Sequence, residues 1–417
     1  RFVLLMLFSI VLNYCFGLLV HHYDKRKNMK VTFLIMAVVG NILLLSYFKY
    51  ISFFTDILNN ALHLSIHVEP IPLPIGISFY TFQAMSYVID VYREKGAVQK
   101  DLLCVGLYIS FFPQLIAGPI VRYIDVAREL DNRTHSMEDF TLGLRRFLVG
   151  LGKKIILADN FALLIRLFRE STEPSVLFYW MYAVAFALNI YFDFSGYSDM
   201  AIGLGRMLGF HFIENFNYPY LSKSVTEFWR RWHMSLGSWF RDYVYIPMGG
   251  NRVSKGRWLF NTLTVWMLTG LWHGASWNFV VWGLSFAVLL LLEKWALQLD
   301  KWPDLLRRFY VLLAVCLTFV LFNAADFTQA AEDIRRMFGM GGLPVMTRET
   351  VYYLRSYLLL FLAGIFGATP VLRNFCARYE SSKPVQLLEP VVMAALLLLC
   401  SAYLVDGSFN PFLYFRF

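Results

Sequence analysis

Residues 259 to 292 run LFNTLTVWMLTGLWHGASWNFVVWGLSFAVLLLL, 34 positions without an acidic, lysine or arginine side chain. At a rise of 1.5 Å per residue a continuous helix of that length would measure ~50 Å. The hydrocarbon core of a bilayer is ~30 Å thick. The segment therefore has to tilt steeply or break, and the natural break is Gly270-Leu-Trp-His273-Gly274. Irregular backbone at membrane depth is tolerated only where protein packs it or where it borders a cavity. This places His273 near mid-membrane at a helix break, between Trp272 and Trp277.

Other stretches are also long and apolar enough to span: 2 to 20, 31 to 48, 71 to 89, 102 to 121, 174 to 192, 309 to 325, 355 to 372 and 391 to 405. With 259 to 292 counted, roughly nine or ten spans are expected, plus shorter embedded pieces. Backbone groups in lipid have to be satisfied internally, so the spans are helices, and the fold class is an all-α, multi-spanning integral membrane protein. Composition agrees, with 58% hydrophobic and 16% charged residues, far from the balance of a soluble domain. The net charge of +9 would suggest nucleic acid in a soluble chain. Here the basic residues gather between spans, which is a topology signal and argues against a nucleic-acid partner. Lys25, Arg26, Lys27 and Lys30, and the connection with Lys223, Arg230, Arg231, Arg241, Arg252, Lys255 and Arg257, are expected on the cytoplasmic side. Cys15, Cys104, Cys316, Cys376 and Cys400 are scattered and suggest neither a disulfide nor a metal framework. The sequence opens at Arg1 inside an apolar run, so a further N-terminal segment is expected to precede it.

No fixed repeat or flexible linker divides the chain, and residues 1–417 are read as one domain. Residues 136 to 158 mix Arg145, Arg146, Lys153 and Lys154 with an apolar face, the pattern of an interfacial helix that Ser136 and Asp139 could cap. Residues 224 to 243 read as one helix, begun by Ser224 and Glu227. Its aromatic stripe is Phe228, Trp232, Leu236, Trp239, Phe240 and Tyr243, and its basic stripe faces headgroups or water. Ala201, Gly205 and Gly209 lie four apart, the small-residue spacing of closely packed membrane helices. Gly203, Gly205 and Gly209 do not fit a dinucleotide fingerprint, since the last gap is one residue too long.

His273 is the strongest candidate for chemistry. Burial disfavours the charged imidazole, and a neutral ring can accept a proton. A positioned general base is typically worth ~10²- to 10⁴-fold in rate. The plain alternative is a histidine that hydrogen-bonds two helices, but ionisable groups inside membranes are functional candidates by default. His233, on the edge of the aromatic stripe one turn from Trp229 and Leu236 and two from Phe240, is balanced between a second functional histidine and a structural one. Asp193, Tyr197, Trp229 and Trp272 are candidates for the substrate path, although Asp193 could equally cap a following helix. His63 and His67 have helical metal spacing but no accompanying ligand set, so no metal site is assigned. No His-Glu-x-x-His, Gly-x-Ser-x-Gly or phosphate-binding loop is present.

Long ordered blocks carry a resemblance: LPIGISFYTFQAMSYVIDVYR (73 to 93), FFPQLIAGPIVR (111 to 122), YFDFSGYSDMAIGLG (191 to 205), ENFNYPYLSKSVTEFWRRWHMSLGSWFRDYVYIPMGGNR (214 to 252), TGLWHGASWNFVVWG (269 to 283) and the closing NPFLYFRF. The chain resembles the membrane-bound O-acyltransferases (MBOAT), within them the bacterial alginate O-acetyltransferase branch. The resemblance implies a funnel around a catalytic histidine, built with broken, re-entrant and interfacial helices. It assigns the catalytic role to His273 and a second motif position of less settled role to His233. It also implies acetyl-CoA as donor substrate with no bound cofactor, an extracytoplasmic SGNH-type partner, a polysaccharide acceptor, and residence in the bacterial cytoplasmic (inner) membrane. By that resemblance, the family's first membrane segments are expected to precede Arg1. IPMGGNR (246 to 252) resembles the alginate, cellulose and peptidoglycan acetylating branch more than the teichoic acid D-alanyl transferases.

The leading expectation is an O-acetyltransferase in which His273 takes a proton from the attacking hydroxyl. With no convincing nucleophilic Ser or Cys near His273 in sequence, direct transfer is favoured over an acyl-enzyme. Two rivals stand beside it: a D-alanyl transferase fed by a carrier protein, and a transporter or export channel whose broken helices line a substrate route. Transfer from acetyl-CoA without a carrier would exclude the first. Polymer or ion flux that survives loss of His273 would mark the second.

Overall fold

The computed structural model describes residues 2–69, 71–406 and 412, and its regular elements are helices throughout. Of the NPFLYFRF segment, all but Phe412 lies outside the described residues. The N-terminal layer holds α1 (Phe2–His22), α2 (Lys27–Lys49), α3 (Ile51–Leu62), α4 (Ile77–Tyr92), α5 (Leu102–Ser110) and α6 (Tyr123–Asp131). Then α7 (Met137–Gly152) runs through a π-helical turn, Lys153–Ala158, into α8 (Asp159–Glu170), and the chain returns as α9 (Val176–Met207). After α9 come α10 (Val225–Arg231), α11 (Met234–Phe240), α12 (Lys255–His273), α13 (Trp277–Trp295) and α14 (Asp304–Asn323). The chain continues with α15 (Phe327–Met337), α16 (Arg348–Gly367), α17 (Val371–Tyr379) and α18 (Lys383–Asp406).

Seven of these helices among the described residues are long and apolar enough to cross a bilayer: α1, α2, α9, α13, α14, α16 and α18. This is fewer than composition suggested, because protein interior and lipid reward the same side chains. The apolar run 71 to 89 becomes α4, 16 residues buried on nearly every side. The run 102 to 121 becomes the nine-residue α5 followed by irregular chain. The long uncharged stretch divides: α12 ends at His273, Gly274 is extended, and Ser276 caps α13 through the amide of Asn278. The predicted break falls where expected.

Helix α9 is the central post, packed by α7, α8, α14, α15 and α16. Its contact with α7 is a glycine seam. A Cβ on Gly143 would stand 2.5 Å from the Gly203 carbonyl oxygen, and one on Gly150 would stand 2.6 Å from that of Gly196. Backbones can approach so closely only without side chains between them. The expected device is thus present at Gly196 and Gly203 in place of Ala201, Gly205 and Gly209. Gly205 packs on the Phe212 ring, and Gly209 takes the left-handed turn after the helix (φ 80°).

The basic residues of 136 to 158 also differ from expectation. Ser136 caps α7 as anticipated, accepting from the Asp139 amide at 3.0 Å. The cations, however, turn to protein carboxylates. Arg146 pairs with Asp199 and Glu214, Lys153 with Asp199, Lys154 with Asp159 and Asp193, and Arg145 with Glu389. Apart from Asp159, their partners lie on α9 and beyond, too distant in sequence for helical spacing to reveal.

Candidate active site

His273 is the last residue of α12 and is 3% exposed. The hairpin of α12 and α13 that presents it is fixed by close glycine contact, since a Cβ on Gly270 would fall 2.2 Å from the Phe279 carbonyl oxygen. At Gly274 a Cβ would collide with the Phe279 ring, so the turn after the histidine admits no side chain. Three aromatic rings surround the imidazole: Trp282 at 4.9 Å, Trp272 at 5.1 Å and Phe322 at 5.4 Å between centroids, all close to perpendicular. Trp277, expected beside His273, is 58% exposed and meets Phe53 edge-on, because the turn rotates the start of α13 away. Trp282, a turn and a half further on, takes that place.

His233 also stands at a helix break. The segment 224 to 243 is not one helix: α10 ends at Arg231, Trp232 is extended, and His233 adopts left-handed backbone angles (φ 43°, ψ 53°) before α11. Such a conformation costs a non-glycine residue about 1–3 kcal/mol unless its surroundings impose it. The imposing residue is Asn215. Its carbonyl accepts from the Met234 amide at 2.9 Å, and its side-chain Oδ1 accepts from the Ser235 amide at 3.2 Å and the Ser235 hydroxyl at 2.9 Å. The same Oδ1 lies 3.1 Å from His233 Nδ1, and Asn215 Nδ2 donates to Ser198 at 3.0 Å. A backbone amide can only donate, so the Asn215 atom facing it is the oxygen. The neutral His233 ring therefore carries its proton on Nδ1 and presents Nε2 as an acceptor. Phe194 packs edge-on to this ring at 4.6 Å. Trp272 is 5.8 Å from it and 5.1 Å from His273, and is thus a neighbour of both histidines.

A cavity of about 1150 Å³ reaches this place. Arg230, Arg241, Lys294 and Arg307 are among its lining residues, and Trp229, Trp266, Thr269 and His233 line it as well. Lys294 lies 3.4 Å above the Trp258 ring, and Arg307 answers Asp300 and Asp304. Arg230 pairs with no carboxylate among the described residues. His273 is not in the lining of this cavity, but Thr269 is, one helical turn before it on the same face.

Of the candidates named from sequence, the structure gathers His273, His233 and Trp272, and puts Trp229 on the cavity wall against Trp266 (4.7 Å) and Trp282 (5.8 Å). Tyr197 packs against the cluster that holds Trp272 and touches Phe412 at 4.8 Å. Asp193 caps no helix: it sits within α9, buried, 2.8 Å from Lys154. His63 ends α3 in left-handed conformation (φ 52°), so it and His67 share no helix face. Sequence reasoning missed Asn215 and the pair Lys49 and Tyr50, which hold the end of α12. Asn215 lies inside a quoted block but bears no chemical signature of its own. Lys49 ends an apolar run, where a lysine reads as an ordinary snorkelling residue.

Helices that break at buried histidines beside a cavity within a multi-pass bundle are the frame of an enzyme working inside the membrane. The chain belongs to the membrane-bound O-acyltransferase family, whose profile matches residues 97–323, and it is a multi-pass membrane O-acyltransferase. It is 36% identical to the probable alginate O-acetylase AlgI of Azotobacter vinelandii, over 98% of this chain and 89% of that protein. It is 30% identical to the peptidoglycan O-acetyltransferase of Helicobacter pylori, over the full chain and 88% of the relative. A teichoic acid D-alanyltransferase of Bacillus subtilis is 30% identical over 61% of this chain and 69% of its own length.

Proposed function

We propose that this O-acyltransferase takes an acetyl group from cytoplasmic acetyl-CoA and passes it across the bacterial inner membrane for O-acetylation of a cell-envelope polysaccharide. The observation that carries the reading is the position of His273. It is buried among Trp272, Trp282 and Phe322 at the end of α12, one turn beyond Thr269 on the cavity wall. A ring held there can take a proton from an attacking hydroxyl as its oxygen bonds to the thioester carbonyl. The carbon–sulfur bond then breaks, and the departing thiolate recovers the proton from the imidazolium. The aromatic walls keep out water that would hydrolyse the thioester. The cations along the cavity suit a donor that carries phosphates, and the place of Arg230 and Arg241 in the basic connection supports a cytoplasmic opening.

Acetyl rather than D-alanyl transfer is supported by the acetylating relatives, which align with nearly the whole chain, while the D-alanyltransferase aligns with 61% of it. The acceptor is an extracytoplasmic polysaccharide of alginate, cellulose or peptidoglycan type, reached through an SGNH-type partner enzyme. The test is to supply membranes with labelled acetyl-CoA, or with a D-alanyl carrier protein, and follow label into polymer and co-purifying protein. Label from acetyl-CoA alone supports the reading. Label only from the carrier replaces it with D-alanyl transfer.

A further inference from the structure

The end of α12 is gripped by two consecutive residues from a different part of the chain. Tyr50 donates its hydroxyl to the Leu271 carbonyl at 2.8 Å. Lys49, the last residue of α2, directs Nζ to the Trp272 carbonyl at 2.5 Å, the His273 carbonyl at 3.4 Å and the Ser78 hydroxyl at 3.1 Å. Three successive carbonyls, ending with that of His273 itself, are thus held from one side. These carbonyls need outside partners, because the last turn of a helix leaves its C=O groups without intrahelical donors. The three N–H bonds of an ammonium match the three acceptors. No carboxylate lies within ion-pair distance of Lys49 among the described residues. What answers its charge is the negative end of the α12 dipole, the arrangement that favours a cation there.

A plain anchoring role would need only one such bond and could sit on any turn. This one falls on the turn that sets the direction of the His273 side chain. Its cation also lies 5.9 Å from the centre of the Trp272 ring, a neighbour of both histidines. The grip further joins α2 and the start of α4, through Ser78, to the break between α12 and α13.

We infer that Lys49, seconded by Tyr50, is a positioning residue for acyl transfer: it holds the carbonyls of Trp272 and His273 so that the imidazole is aimed at the attacking hydroxyl. The inference rests on the proposed role of His273, and its test keeps the two separable. Lys49→Met, Lys49→Arg, Tyr50→Phe and His273→Ala are expressed as full chains in membranes at matched abundance. Initial rates of label transfer from acetyl-CoA are measured against donor concentration, alongside thermal stability in detergent. A misplacement near 1 Å can cost ~10²-fold in rate. The expected result for Lys49→Met is a 10- to 100-fold fall in kcat with KM for acetyl-CoA within about twofold. Lys49→Arg, which retains charge and donors, returns to within about fivefold of the native rate, and Tyr50→Phe loses severalfold. A second readout is independent of turnover. The rate at which diethyl pyrocarbonate modifies His273, followed by mass spectrometry, is expected to change at least threefold in Lys49→Met and less than twofold in Lys49→Arg. Unchanged kcat and unchanged modification in a folded Lys49→Met protein would overturn the positioning role. So would a stability loss that Lys49→Arg shares with no difference in kcat between them. If His273→Ala transfers label at full rate, the proposed role of His273 falls instead, and the modification rates alone decide whether Lys49 sets the imidazole.

Discussion

Between α7 and α9 a buried charge is met by an opposite charge: Lys154 by Asp193 and Asp159, Lys153 by Asp199, Arg146 by Asp199 and Glu214. Around His233 and His273 the neighbours include aromatic rings, the amide of Asn215 and Lys49, whose ammonium reaches backbone carbonyls rather than a carboxylate. The helices differ in the same sense. Through the α7–α9 seam α9 runs 32 residues unbroken, while at the two histidines α10 yields to α11 and α12 yields to α13. Ion pairs in a continuous glycine seam build a rigid post. Broken helices lined by rings leave an imidazole in surroundings where it can change its bonding partner. On the role proposed for His273, one region holds position and the other does chemistry.

Changes in the post should therefore cost stability, and changes in the chamber should cost rate. The largest effect is expected from Gly203→Val, whose side chain would meet the Gly143 carbonyl oxygen and the Phe147 amide. Backbone cannot yield as a core side chain does, so the loss should exceed about 3 kcal/mol, seen as failure to recover monodisperse protein in detergent. Next, Lys154→Met takes an ammonium away from two carboxylates in the interior. Breaking a buried pair costs about 3–5 kcal/mol, and a sharply lowered Tm is expected with specific activity of the folded fraction within about twofold. A large fall in that specific activity would join Asp193 to the substrate path and blur the comparison.

In the chamber, Asn215→Ala removes the acceptor for His233 Nδ1 and the Ser235 hydroxyl. The expected outcome is a 10- to 100-fold lower rate with a modest shift in Tm, read by transfer assay and melting on one preparation. Native rate with a large Tm loss would make His233 a structural histidine. The smallest effect belongs to Arg145→Ala. Its pair with Glu389 is partly exposed and should be worth less than about 1 kcal/mol, within the error of a melting curve.

The sequence made the two regions unequally legible. The break at His273 could be read because 34 uncharged residues exceed what a straight span can use. The break at His233 could not, because the aromatic spacing from Phe228 through Trp232, Leu236 and Trp239 stays in helical register across it. The interruption comes from Asn215, a tertiary contact with no periodicity. Residues 136 to 158 read as an interfacial helix because the carboxylates that answer their cations lie as far off as Asp199 and Glu214. Buried α4 was read as a span because apolar side chains do not distinguish protein from lipid. Lys49 stayed hidden for a simpler reason: its acceptors are carbonyls, which every residue has.

The most direct test of the central claim is the initial rate of acetyl transfer from acetyl-CoA in membranes carrying His273→Ala beside the native chain, at matched abundance and with Tm recorded for both. A loss of ~10²-fold or more with Tm within a few degrees is the predicted result. Transfer within twofold of the native rate by a folded His273→Ala protein would contradict it.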